Sequence, residues 1–172
     1  DAITLQDPTK EGYEFTGLTG TNLSSPTKNV TIPAHSTGVR SYTANYQIVI
    51  YNLDIDYKGG TLDPSESNPD HYNITDEITL AKPTKEGYTF TGWKIVGTDT
   101  VLDDVTISHE TGNKSYEAVY TPNHSTVVFH ANYENPTGNM DPQDFTYDVT
   151  QKLTPLGYER EGYLFLGWTT ND

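Results

Sequence analysis

The chain has 172 residues, no cysteine and a formal net charge of −14. Without thiols there is no disulfide, thiolate metal site or cysteine nucleophile, and the acidic surface repels phosphate-rich partners, so neither nucleic acid nor anionic lipid is an expected ligand. An aromatic content of 12%, with 13 Tyr, supplies small cores rather than disorder, while no apolar run reaches the roughly 18 residues of a membrane helix and no leader or sorting signal is visible.

In chain order, the first feature is Asp1–Leu18. Its pattern returns at Asp76–Trp93 with thirteen of eighteen positions identical and an offset of 75. Val30-Thr31-Ile32 returns as Val105-Thr106-Ile107, and Ser41–Tyr46 returns as Ser115–Tyr120 one residue earlier than that offset requires. The polar seam at Gln47 then opens a second copy. Ile48 to Leu53 is β-branched and aromatic and reads as a strand. Lys58-Gly59-Gly60 signals a turn, and any helix is expected as a short turn around Asp63 to Asp70 or between strands. A second strand centres on Ile78-Thr79-Leu80 and is interrupted by Pro83, which cannot donate to a ladder.

Tyr88 and Phe90 alternate onto one face. Trp93 has the opposite parity, so a bulge at Gly92 is expected to re-aim it towards the same core. Val105-Thr106-Ile107 forms a short strand. Tyr116, Ala118 and Tyr120 share a face of the closing strand, with Glu117 turned to water. Beyond the polar seam Thr121–Ser125, a third copy ends in Gly162-Tyr163-Leu164-Phe165-Leu166-Gly167-Trp168, again 75 residues after its match. Its opening, Val127–Asn132, is paired with Ile48–Leu53.

The copies divide the chain into residues 1–46, the back half of one repeat, residues 47–122, a complete repeat, and residues 123–172, the front of a third. The seams are short, which favours a semi-rigid series of modules. A unit of about 75 residues buries little apolar surface. The expected core is therefore aromatic: Tyr13, Phe15, Leu18 (standing where the next copy has Trp), Tyr42, Tyr46, Tyr51, Tyr88, Phe90, Trp93, Tyr116, Tyr120, Phe129, Tyr163, Phe165 and Trp168.

Chemistry-bearing motifs are sparse. Asp54–Gly59 loosely echoes a calcium loop, but Lys58 falls on its third ligand position and Ser65 on its twelfth, where a bidentate Glu is needed. His35, His71, His109, His124 and His130 form no zinc-type spacing, and His130 is expected to face solvent. No nucleophile elbow, phosphate loop or dinucleotide fingerprint occurs. Catalytic residues, metal and cofactor are therefore all expected to be absent.

The pattern Pro-Thr-Lys-Glu-Gly-Tyr-x-Phe-Thr-Gly-Trp, then Val-Thr-Ile, then Ser-Tyr-x-Ala-x-Tyr, resembles the internalin B-type B repeat, also called the Listeria–Bacteroides repeat. The third copy is similar to it through Val127, Phe129, Ala131-Asn132, Gly138-Asn139-Met140, Gln143–Tyr147, Leu153-Thr154 and Arg160–Trp168. The resemblance implies a mostly β (α+β) fold of tandem β-grasp-like repeats with little helix. It also implies a non-catalytic segment of an extracellular, wall-attached bacterial surface protein, serving as adhesion module or stalk. Asn132-Tyr133-Glu134-Asn135 stands where Asn-Gly-Gly is usual, so the first turn of the third repeat is expected to differ. A glycan- or host-protein-binding module and an accessory segment of a secreted glycan-active enzyme are the competing readings. Expected partners are a host protein or glycan, adjacent repeats, and a second copy through the two half-repeats.

Overall fold

The computed structural model describes residues 1–170. Their regular structure is strand throughout, without helix, so a mostly β fold is what the chain adopts. A helix laid across a sheet, the other part of a β-grasp, is not among the described residues.

By its contacts the chain forms two compact units. One comprises Asp1–Thr84 with Phe90–Val119; the other comprises Lys85–Thr89 with the residues from Tyr120 onward. In the first unit, the opening half-repeat pairs β1 (Ile3–Thr4) with β3 (Thr31–Ile32), and β2 (Tyr13–Gly20) with β4 (Tyr42–Ile48), both antiparallel. The β2 register slips between Phe15 and Gly17, placing a bulge at the first-copy counterpart of Gly92. Phe15 and Leu18 are thereby both turned inward despite their opposite parity, and Leu18 is buried.

Residues 47–122, read from sequence as the complete repeat, contribute β5 (Tyr51–Asp56), β6 (His71–Tyr72), β7 (Glu77–Thr79), β8 (Tyr88–Ile95), β9 (Val101–Leu102), β10 (Thr106–Ser108) and β11 (Lys114–Pro122). Five of these form one sheet in the order β6-β5-β11-β8-β9, while β7 and β10 pair separately. The first and last strands, β5 and β11, run parallel with Lys114 opposite Leu53 and Glu117 opposite Asp56. The Val96 N–H reaches the Ser115 carbonyl, and the Thr91 hydroxyl reaches that of Val119. One strand ascends as the other descends, so β8 is antiparallel to β11.

Trp93 is fully enclosed, with Phe90 edge-on at 5.3 Å and Tyr57 at 6.1 Å between centroids. Around it the interior is largely aliphatic: Leu53, Leu80, Val105, Ile107 and Ala118 are buried, together with Tyr72 and Tyr116. The Tyr72 hydroxyl satisfies itself on the Gly112 carbonyl, as a buried phenol must. Burial pushes both the Tyr72 and Tyr116 hydroxyls above the ordinary phenol range.

Several expectations are corrected here. The run Ile48–Leu53 is not one strand: Ile48 ends β4, and β5 begins at Tyr51. Both seams run within strands, Gln47 inside β4 and Thr121-Pro122 at the close of β11. No helical turn forms at Asp63–Asp70. Asp63 instead accepts the Ser65 N–H and hydroxyl, a local arrangement that competes with helix. Asn68 then ties the loop to both hydrogen-bonding groups of the Ala81 backbone.

Glu117 does not simply face water. Its carboxylate lies 2.8 Å from Lys58 Nζ and 3.5 Å from Lys94 Nζ, and Lys58 also reaches Asp56 at 3.0 Å. An ammonium thus occupies the acidic hairpin that echoed a calcium loop. The Lys58 ammonium holds the Glu117 carboxyl below its usual range. A depressed carboxyl contributes stability above its unfolded pKa, which is lost as pH falls through the folded value. Urea midpoints measured between about pH 5 and pH 3 should therefore fall less for Glu117→Gln than for the unaltered chain; parallel curves would discount the pair.

The second unit contains β12 (His124–Val127), β13 (Thr137–Gly138), β14 (Gln143–Thr146) and β15 (Tyr158–Glu159), paired as β12-β14 and β13-β15. Opposite β12, Ser125 faces Phe145, as Tyr51 faces Tyr72 across β5 and β6. Left-handed backbone follows at Asn132 (φ 59) as at Lys58 (φ 50). Both markers match Val127 to Leu53 and Phe129 to Ile55, so the pairing of Val127–Asn132 with Ile48–Leu53 is wrong by five residues.

Phe129 is buried against Trp168, whose ring also meets Phe165 and Tyr158. His130 is exposed. Tyr163 and Phe165, placed in the core from sequence, are 67% and 45% exposed. The cause is missing neighbours: β8 is flanked by β9 and β11, whereas residues 163–168 pair with no strand among the described residues.

Candidate interaction surfaces at the repeat seams

The Lys-Glu-Gly-Tyr turn occurs at residues 10–13 and 85–88, and as Arg-Glu-Gly-Tyr at 160–163. It is built the same way each time. The Tyr N–H closes onto the carbonyl of the basic residue three positions earlier, at 3.0 Å for Tyr13, 3.1 Å for Tyr88 and 3.2 Å for Tyr163. That fold-back lays the cation on the ring: Lys10 Nζ lies 3.6 Å from the Tyr13 centroid, Lys85 Nζ 4.4 Å from that of Tyr88, and the Arg160 guanidinium 3.7 Å from that of Tyr163. Such contacts contribute about 0.5–1 kcal/mol at exposed sites. In the first two turns the lysine also approaches a second ring, Tyr46 or Tyr120, from the closing strand.

The glycine of the turn receives the next repeat. At the first seam the Gly12 carbonyl accepts the Val49 N–H at 2.9 Å, and at the second the Gly87 carbonyl accepts the Asn123 N–H at 2.8 Å. Gly12 and Gly87 sit at φ +72° and +75°, conformations that glycine adopts without Cβ strain. Their open faces are filled. A Cβ on Gly12 would fall 2.5 Å from Ile74, and one on Gly87 would strike the Tyr147 ring. Ile74 and Tyr147 hold the same place, two residues beyond the positions paired with Tyr51 and Ser125.

The second seam has further links. Tyr147 is edge-on to Tyr88 with centroids 5.5 Å apart, and its N–H bonds the Asn123 carbonyl. The Tyr88 hydroxyl donates to Asp148 Oδ2 at 2.9 Å, and the Thr89 hydroxyl to Asn123 Oδ1 at 2.7 Å. The Asp148 carboxylate raises the Tyr88 phenol above its ordinary range.

Of the aromatic residues assigned to core from sequence, Tyr13, Tyr46, Tyr88 and Tyr120 gather at these seams. Tyr42 and Tyr51 are half-buried on β4 and β5. The two seated side chains escaped sequence reading because one is aliphatic and the other aromatic, at an offset of 73 rather than 75. Their signal was the glycine two copies share, which needs a neighbour to cover it. These surfaces hold cations on rings and close-packed backbone. No group of three or more His, Cys, Asp or Glu suited to a metal occurs among the described residues.

A family model described as the Listeria–Bacteroides repeat domain matches residues 49–118 and 126–172. Internalin H of Listeria monocytogenes serovar 1/2a is 32% identical over 145 residues, covering 78% of this chain and 24% of that protein. A putative membrane protein of Evansella cellulosilytica is 26% identical over 171 residues, covering 97% of this chain and 24% of its own length. The chain thus spans about a quarter of the length of the curated relatives it matches. No solved structure matches it.

Proposed function

Because the chain belongs to the Listeria–Bacteroides repeat family, we propose that it is a non-catalytic tandem-repeat segment of a bacterial cell-surface protein, acting as a stalk along which adhesive contacts can be presented. The observation that carries this reading is the recurrence of one seam. Lys10–Tyr13 meets Val49 and Ile74 as Lys85–Tyr88 meets Asn123 and Tyr147. Joined through packed backbone, successive repeats have little of the freedom of beads on a flexible linker. The internalin relative supports a surface or extracellular setting.

A glycan site would need rings free to stack on a sugar. Tyr88, Tyr120 and Tyr147 are engaged with one another and with Lys85. The concavity of about 570 Å³ beside Asn139, Met140, Gln143 and Thr154 has no aromatic lining. Neither the second seam nor that concavity therefore offers a sugar platform, and Tyr163 and Phe165, 67% and 45% exposed, are the rings left for one. Small-angle scattering from the intact chain tests the stalk. A maximum dimension well beyond that of a sphere of the same mass is expected, unchanged across salt; a compact globule would sink the proposal.

A further inference from the structure

The two compact units do not divide at the repeat boundary. Lys85–Thr89, which the sequence assigns to the complete repeat, groups by its contacts with Tyr120 and the residues that follow. The physical basis is the second seam: Gly87 is covered by Tyr147, Tyr88 is bonded to Asp148, and the Asn123 backbone and side chain reach Gly87 and Thr89. The first seam repeats the core of this arrangement with Ile74 on Gly12, and has Thr75 at the place of Asp148. The third turn shows the same fold with no side chain on its glycine among the described residues. Arg160 lies on Tyr163, and no heavy atom of the described residues stands within 4 Å of where a Gly162 Cβ would be. The cation–ring contact of the turn therefore does not depend on a side chain covering its glycine.

We propose that the cooperative unit of this array straddles the repeat boundary: the Lys-Glu-Gly-Tyr turn of one repeat and the residue seated on its glycine in the next, Ile74 or Tyr147, form and open together. The inference rests on the tandem-repeat reading above but concerns energetics rather than shape, so scattering and exchange can fail independently. Each repeat lends a turn to its successor. Coupling in the array then resides in a few aromatic and backbone contacts, and it can differ from seam to seam. The second seam, with its ring pair and its phenol–carboxylate bond, is the tighter of the two.

Residue-resolved hydrogen exchange on the intact chain tests this. Tyr147→Ala should lower protection of the Tyr88 and Asn123 amides by about tenfold, the range expected on losing an aromatic pair. The Leu53 and Leu80 amides, bonded to Asp70 and Val105 inside the complete repeat, should change by less than about twofold. Ile74→Ala should act likewise on the Val49 amide, with a smaller effect. If Tyr147→Ala leaves residues 123–170 unfolded, Tyr88→Phe removes only the hydroxyl bonded to Asp148 and must still lower Asn123 protection. Loss confined to residues beyond Asn123 would overturn the proposal, as would a uniform loss that includes Leu53 and Leu80.

Discussion

Gly87→Ala should destabilise the chain by about 3 kcal/mol, against about 1 kcal/mol for Gly59→Ala. The comparison separates two costs. Both glycines have left-handed backbone, at φ +75° and +82°, so each substitution incurs the strain of placing an L-residue there. Around Gly59 no atom of the described residues lies within 4 Å of where a methyl group would stand; at Gly87 the methyl would collide with the Tyr147 ring. Tyr147 is 40% exposed but is held against Tyr88 and Asn123, and displacing its ring adds about 1–2 kcal/mol. Urea unfolding followed by near-ultraviolet circular dichroism reads both variants. Equal losses would mean that Tyr147 does not occupy the seat.

Trp93→Ala should cost about 3–5 kcal/mol, enough to unfold a repeat of this size. The residue is completely enclosed and meets Phe90 and Tyr57 edge-on. Its Nε1 has no hydrogen-bond partner among the described residues. Packing rather than polar bonding therefore holds it, and an unpartnered buried N–H is itself a cost. Trp93→Phe, which removes that N–H and keeps a ring, should lose less than half as much as Trp93→Ala in the same titration. A Phe variant as weak as the Ala variant would show that a single smaller ring cannot fill the site. At the matching position of the first copy, Leu18 is buried without a large ring.

The strands were readable where side chains alternate and the pattern recurs. Tyr88, Phe90 and the re-aimed Trp93 follow from parity plus a glycine, and the bulge appears at the matching point of β2. What sequence reading missed has physical causes. The recurring aromatic residues mark only half of the interior; the aliphatic half is Leu53, Leu80, Val105 and Ile107, of which Val105 and Ile107 recur as Val30 and Ile32. The third copy was mis-registered because its opening strand carries different residues, Val127 and Phe129 for Leu53 and Ile55. Backbone handedness at Lys58 and Asn132 marks the equivalence more surely than hydrophobicity does. At the seams, the lysine–tyrosine turn was visible as a repeated word, but not the side chain that covers its glycine. That partner lies some sixty residues on in each case, Gly12 to Ile74 and Gly87 to Tyr147, and no local pattern encodes it.

The parallel pairing of β5 with β11 has a mechanical consequence. A tug on the two ends of the complete repeat pulls β5 from its beginning and β11 from its finish, because these two neighbouring strands point the same way. Tension then runs along the ladder, and its slanted bonds are strained in shear, all at once, instead of being unzipped one after another. A tether made of such units should resist being drawn out by flow until several bonds break together.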